Sequence, residues 1–120
     1  MAKTVHNDVL DAALGVVAAS TRLTVCSDAP SSFAGIASVA LAEATLTSGD
    51  FTIDDGDVSG RKVTVGAQSD LEVDASGTAT HIALDDGETL LYVTECASQV
   101  LTEGNTVSVP AWDIEIADPS

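Results

Sequence analysis

Few residues in this chain have the types and spacing that chemistry needs. The imidazoles are His6 and His81, and the thiols are Cys26 and Cys96. A nucleophilic cysteine requires an activating base within hydrogen-bond reach, and Cys96 with His81 is the pairing of types that would supply one. The surrounding sequence does not favour it. His81 lies inside the strand-like run "TATHIAL", Cys96 ends "LLYVTEC", and no G-x-S-x-G turn is present. Zinc takes four ligands, and histidines and cysteines at 6, 26, 81 and 96 form no short-knuckle spacing. These residues read as helix-start, strand and free-thiol positions, so neither a catalytic group nor a cofactor is expected.

The aspartates of "GDFTIDDGDVSGRKVTVGA" (49–67) raise a second possibility, calcium. An EF-hand loop places acids at alternating positions, a glycine at the sixth and a glutamate at the twelfth. Counted from Asp50, those two positions hold Asp55 and Arg61; counted from Asp54, they hold Ser59 and Val65. Neither register fits. An irregular calcium site from Asp54, Asp55 and Asp57 is the metal candidate, weighed against a hairpin in which a polar glycine-containing turn joins "FTI" to "RKVTV". The hairpin is the better reading. Arg61 and Lys62 would then offset the neighbouring aspartates, as exposed ion pairs of small energetic weight. "LDDGETL" (84–90) reads as a second acidic hairpin turn. The chain carries no P-loop and no dinucleotide fingerprint. Its four aromatic residues, Phe33, Phe51, Tyr92 and Trp112, are too few for the usual sugar-stacking platforms. Trp112 is expected to cap a core or an interface.

The bulk composition excludes several classes of function. Nineteen acidic against four basic residues give a net charge of −15. Phosphate contacts depend on lysine and arginine, so nucleic-acid binding is not expected, and anionic membranes are disfavoured for the same reason. No apolar run approaches the roughly 20 residues of a membrane span. The start, "MAKTVHNDVLDAALGVVAAS", has aspartates inside its apolar part and does not read as a signal peptide. Production in the cytoplasm is the expectation, with Cys26 and Cys96 as buried free thiols. At 120 residues and 45% hydrophobic composition the chain suits one domain with an aliphatic core.

These residues are positioned by the following elements. Residues 5–20 carry Val5, Val9, Ala13 and Val16 or Val17 at helical spacing, with Leu10 and Leu14 widening the stripe. Thr4 or Asn7 is the expected cap. From residue 21 the period changes to two. Strand-like runs occupy 21–27, 36–47, 50–53, 61–68, 71–75, 78–86, 89–97, 105–111 and 112–118, separated by Gly-Asp and Gly-Asn turns. Pro110 marks a bend or an edge position. The expected fold is mainly β: an antiparallel β-sandwich or small barrel of about seven to nine short strands. Residues 1–20 form an N-terminal helix or arm, and 21–120 the β-sandwich, in one domain overall. Segment 1–20 either packs on its own sheet or reaches a neighbouring subunit. Val5, Val9, Leu10, Leu14 and Trp112 are therefore the interface candidates.

The order of segments carries a resemblance. "HNDVLDAAL" is followed by "TRLTVCSDAPSSF", "TSGDFTIDDGDVSGRKVTVGAQ", "VDASGTATHIAL", "LLYVTECASQVLTEGNTVSV" and "AWDIEIADPS". Along most of its length the chain resembles small structural, decoration-like virion proteins of tailed bacteriophages. The resemblance is one of segment pattern and carries over no functional residue. It implies a non-enzymatic, many-copy particle component made in the bacterial host cytoplasm. Within that class, a capsid decoration (cement) protein on the outer head surface is the favoured expectation. Its partner would be the major capsid protein or another virion protein, and it would form a homo-oligomer such as a trimer. A −15 domain is repelled from a DNA-filled interior and tolerated on the outer face. The competing expectations are a tail, baseplate or fibre-attachment protein, and a β-sandwich adhesion module using calcium.

Overall fold

The structure is a computed structural model that describes residues 6–57 and 59–116. It is mainly β, with nine antiparallel strands among the described residues and a helix at the N-terminal end. The helix α1 spans Asn7–Ala18. The strands are β1 (Arg22–Cys26), β2 (Ala40–Thr45), β3 (Phe51–Asp55), β4 (Arg61–Val65), β5 (Gln68–Glu72), β6 (Gly77–Asp85), β7 (Leu90–Leu101), β8 (Thr106–Val109) and β9 (Trp112–Ile116). They form a four-stranded sheet in the order β2-β1-β6-β7, a three-stranded sheet β3-β4-β9 and a two-stranded sheet β5-β8.

Residue period explains which faces turn inward. In β8, Val107 and Val109 are buried while Thr106 and Ser108 are exposed, and in β9 the inner positions are Trp112, Ile114 and Ile116. Strand β1 is flanked on both sides within its sheet and is buried along almost its whole length, as a central strand with both faces covered must be. One apolar cluster joins the three sheets. It includes Leu23 and Val25 of β1, Ile82 and Leu84 of β6, Val65 of β4, and Val107 and Val109 of β8. An isolated bridge between Ala42 and Val73 ties the β2 edge to the β5-β8 sheet, reinforced by the Asp74 amide donating to the Leu41 carbonyl at 2.7 Å.

The turn residues perform as their chemistry requires. Gly87 adopts φ +93° in the β6–β7 hairpin and Gly104 φ +90° between β7 and β8, conformations that cost a side-chain-bearing residue strain. Pro110 lies in the short break between β8 and β9, where it removes no ladder donor.

Three expectations from the sequence are corrected. The run 36–47 is not one strand. Its first residues form a helical turn, α2 (Ile36–Val39), before β2 begins. Burial of Ile36 holds that turn, and the Ser38 hydroxyl donates to the Gly35 carbonyl at 2.9 Å. The strand expected at 71–75 is displaced to Gln68–Glu72, because from Val73 the chain turns to β2, bridging to Ala42 and donating the Asp74 amide to the Leu41 carbonyl. The cap of α1 is His6, whose Nδ1 accepts the Asp8 amide at 3.0 Å, while Asn7 is already helical. The alternative cap Thr4 and the interface candidate Val5 lie outside the described residues.

Candidate functional site

The acidic turn between β3 and β4 is built from ion pairs. Asp55 and Arg61 are register partners at the turn end of the hairpin, with Asp54 and Lys62 the next pair along. The Arg61 guanidinium donates to Asp55 Oδ1 at 2.7 Å and, through Nε, to Asp11 Oδ1 of α1 at 2.8 Å. Lys62 Nζ lies between Asp57 Oδ1 at 2.7 Å and Asp113 Oδ2 of β9 at 3.3 Å. The Asp57 amide donates to Glu115. Asp54 is turned back on its own backbone, its Oδ1 accepting the Asp55 amide at 3.0 Å. These contacts hold both bases in their charged form, Arg61 chiefly through Asp11 and Lys62 chiefly through Asp57.

This geometry does not support the calcium candidate. Asp54, Asp55 and Asp57 are each drawn to a different partner, and among the described residues no three His, Cys, Asp or Glu side chains converge as a metal site would require. The pairs act instead as a clamp. Arg61 joins the N-terminal helix to the β3–β4 hairpin, and Lys62 joins that hairpin to β9. The local neutralisation foreseen from the sequence is present, but its reach to Asp11, fifty residues away, is not legible there. Millimolar calcium is expected to leave the melting temperature within about 1 °C of its value in EDTA, measured by calorimetry, because an ion with no preformed ligand set stabilises nothing by mass action.

The thiols and imidazoles do not form a nucleophilic centre. Cys26 stands opposite His81 across β1 and β6, yet its Sγ donates to the Thr24 carbonyl at 3.5 Å, and His81 Nδ1 lies 2.8 Å from the Thr80 hydroxyl. Burial, with the Cys96 thiol nearby as a lesser cause, pushes the Cys26 thiol up to about 11 from its usual 9.0. Burial raises Cys96 as well. A thiolate is therefore disfavoured at both positions. Both cysteines are free. Strand β6 separates β1 from β7, which puts the two backbones roughly 10 Å apart at the usual strand spacing, beyond the span a disulfide bridges.

Three further carboxylates are fixed by local hydrogen bonds. Asp50 accepts the Thr47 amide at 2.8 Å in a capping box and Gln68 Nε2 at 3.2 Å. Asp86 accepts the amides of Thr89 and Glu88, and Asp113 accepts the Thr64 hydroxyl and faces Lys62. Each is held below the usual aspartate value of 3.8, principally by Thr47, Thr89 and Thr64 respectively. A carboxylate with a depressed folded value contributes stability above its unfolded value and loses it as pH falls through the folded one. The raised Cys26 value acts in the opposite sense. Its contribution is present below 9.0 and is lost as pH rises toward about 11. The urea midpoint is expected to hold a plateau near neutrality, to fall below about pH 4 and to fall again above about pH 9. Asp50→Asn should flatten the acid limb, measured by urea unfolding across pH.

The interface candidates separate into three groups. Leu10 and Leu14 are 6% and 1% exposed and lie on the inner face of α1, against the β3–β4 hairpin. They anchor the helix to its own domain and are corrected from interface to core. Val9 is 60% exposed. With Val16, one heptad along and 57% exposed, it forms an apolar stripe on the outer face of the same helix, which also carries exposed Ala12 and Ala13. Trp112 is half-buried against the core cluster. The sequence pattern contained the Val9–Val16 stripe but could not show which stripe of an almost wholly apolar helix would face outward. Among the described residues, no helix is long and apolar enough to cross a membrane.

Compared with known proteins, the chain matches no protein family, no curated protein and no solved structure.

Proposed function

We propose that this protein is a structural component of a tailed-bacteriophage particle: a capsid decoration protein that binds the outer head surface as a homo-oligomer and stabilises the shell through the major capsid protein. The observation that carries this reading is the outer face of α1. Val9 and Val16 stand exposed on a helix whose inner face is locked to the body by Leu10, Leu14 and the Asp11–Arg61 pair. An apolar stripe on a rigid support, within a strongly acidic surface, suits docking into an apolar groove bordered by basic residues. The net charge of −15 supports placement on the outer face, away from packaged DNA.

Electron microscopy of the purified protein mixed with candidate phage particles tests the proposal. The expected result is a regular array of additional density on the head exterior. The double variant Val9→Asp, Val16→Asp should remove that density while keeping an unchanged melting temperature. Density confined to tails, density on the genome-facing wall, or binding unaffected by the double variant would each overturn it.

A further inference from the structure

A second surface, separate from α1, has the form of a small-molecule site. Between the inner face of the four-stranded sheet and strands β8 and β9 lies a half-open cleft of about 440 Å³, within the size range of natural ligand pockets. Val25 and Ile82 line one side, Val107, Val109 and Trp112 the other, and Cys96 of β7 lies at the side. Four of these, Val25, Ile82, Val107 and Val109, belong to the apolar core cluster and are themselves 3–7% exposed, so the cleft is floored by the outer layer of the core.

Two independent features mark the cleft. The first is a bulge in β7. Ala79 is in register with Gln99 and His81 with Glu95, so β7 carries two residues more than β6 over this interval. The irregularity brings Ala97 and Gln99 to the cleft wall in addition to Thr94 and Cys96. Bulges at such positions re-aim side chains and disrupt strand pairing, which favours a ligand in the cleft over an added strand on the β7 edge. The second is Trp112. Its indole N–H is buried, and no described residue accepts it. A buried donor without an acceptor is costly, and a ligand oxygen that reached it would remove that cost.

We infer that this cleft binds a neutral, mainly apolar small molecule carrying one hydrogen-bond acceptor. The apolar part would lie on Val25, Ile82, Val107 and Val109, and the acceptor would meet the Trp112 indole N–H. Glu95 at the rim and the net charge of −15 disfavour an anionic ligand.

Trp112 is the only tryptophan of the 120 residues, so its indole N–H gives one reporter signal in a nitrogen–proton correlation spectrum of the intact chain. The probe is 2-nonanone, a neutral ketone, with nonanoate as the anionic control of equal chain length. The ketone is expected to move the indole signal saturably, with a Kd on the order of 100 μM for a ligand of this size. Nonanoate should bind at least about tenfold more weakly, since a carboxylate near Glu95 is repelled. Trp112→Phe keeps the apolar wall and removes the donor, and should weaken the ketone about fivefold by calorimetry, the effect of one ordinary hydrogen bond. Ala97→Phe, at an exposed position of the cleft wall, fills the cleft from the β7 side. It should abolish binding with the melting temperature retained. An indole signal that stays still or drifts without saturating overturns the inference. So does equal affinity for nonanoate, or a filled cleft that still binds the ketone.

Discussion

Arg22→Ala is expected to lower the unfolding free energy by about 3 kcal/mol, because it strands a buried carboxylate. The Asp85 side chain has no solvent exposure, and its Oδ2 accepts from Arg22 Nε at 2.9 Å across the β1–β6 register. Its other oxygen accepts the Gly87 amide at 3.0 Å, which sets the first bend of the β6–β7 hairpin. The Asp85 carbonyl accepts the Thr21 amide at 2.8 Å, so one residue holds both the entry to β1 and the exit from β6. Arg22 is itself about a third exposed and has further contacts, with Glu43 Oε2 at 3.6 Å and with the face of Phe33 at 5.6 Å. That partial exposure places the expected loss near the lower end of the range seen when one partner of a buried pair is deleted. Two companion variants separate the charge from the shape. Arg22→Lys keeps a cation but loses the planar stack on Phe33 and should fall between wild type and alanine. Arg22→Met combined with Asp85→Leu removes both charges and should be more stable than Arg22→Ala alone. Urea unfolding at pH 7, with an unchanged slope, reads all three. A loss under about 1 kcal/mol for Arg22→Ala would mean that the pair behaves as a surface contact.

The Arg22–Asp85 pair also shows where reading the sequence stops. Its partners are 63 residues apart, and one is an arginine among few cations while the other is one aspartate among many. Nothing local distinguishes Asp85 from Asp86, although the first is wholly buried and the second caps a turn in solvent. Local chemistry, in contrast, was legible. The Gly-Asp and Gly-Asn turns gave the hairpins, period-two alternation gave β4, β8 and β9, and the helical stripe gave α1. Errors arose where tertiary contacts override propensity. Ile36 is drawn into the interior, so a β-like run begins as a helical turn, and Val73 and Asp74 are taken up by Ala42 and Leu41 of β2, so β5 stops early. The acidic stretch at 49–67 was recognisable as a hairpin, but the clamp it forms with α1 and β9 depends on Asp11 and Asp113 at distant positions. The cleft beside Trp112 was equally hidden, since it is assembled from β1, β6, β7, β8 and β9 around a bulge that no residue pattern announces.

The two faces of α1 should respond to substitution in opposite ways. Leu14 is 1% exposed and sits where the helix meets the β3–β4 hairpin. Leu14→Ala removes three buried carbons and leaves a void that a short helix on a sheet can only partly close. The expected loss is about 3 kcal/mol. Val9→Ala, on the outer face of the same helix, should change stability by less than about 0.5 kcal/mol, because its side chain is already largely in water. Binding to particles should reverse this order. Val9→Ala removes part of the proposed docking stripe and should weaken attachment at unchanged stability, whereas Leu14→Ala, studied well below its melting temperature, should retain attachment as long as the helix stays seated. The Asp11–Arg61 pair offers a further control, since Arg61→Gln loosens the helix without touching either apolar face. A Leu14→Ala protein as stable as wild type would show that α1 is held by its ion pair and not by its leucines. A Val9→Ala protein that binds as well as wild type would move the docking surface off the helix altogether.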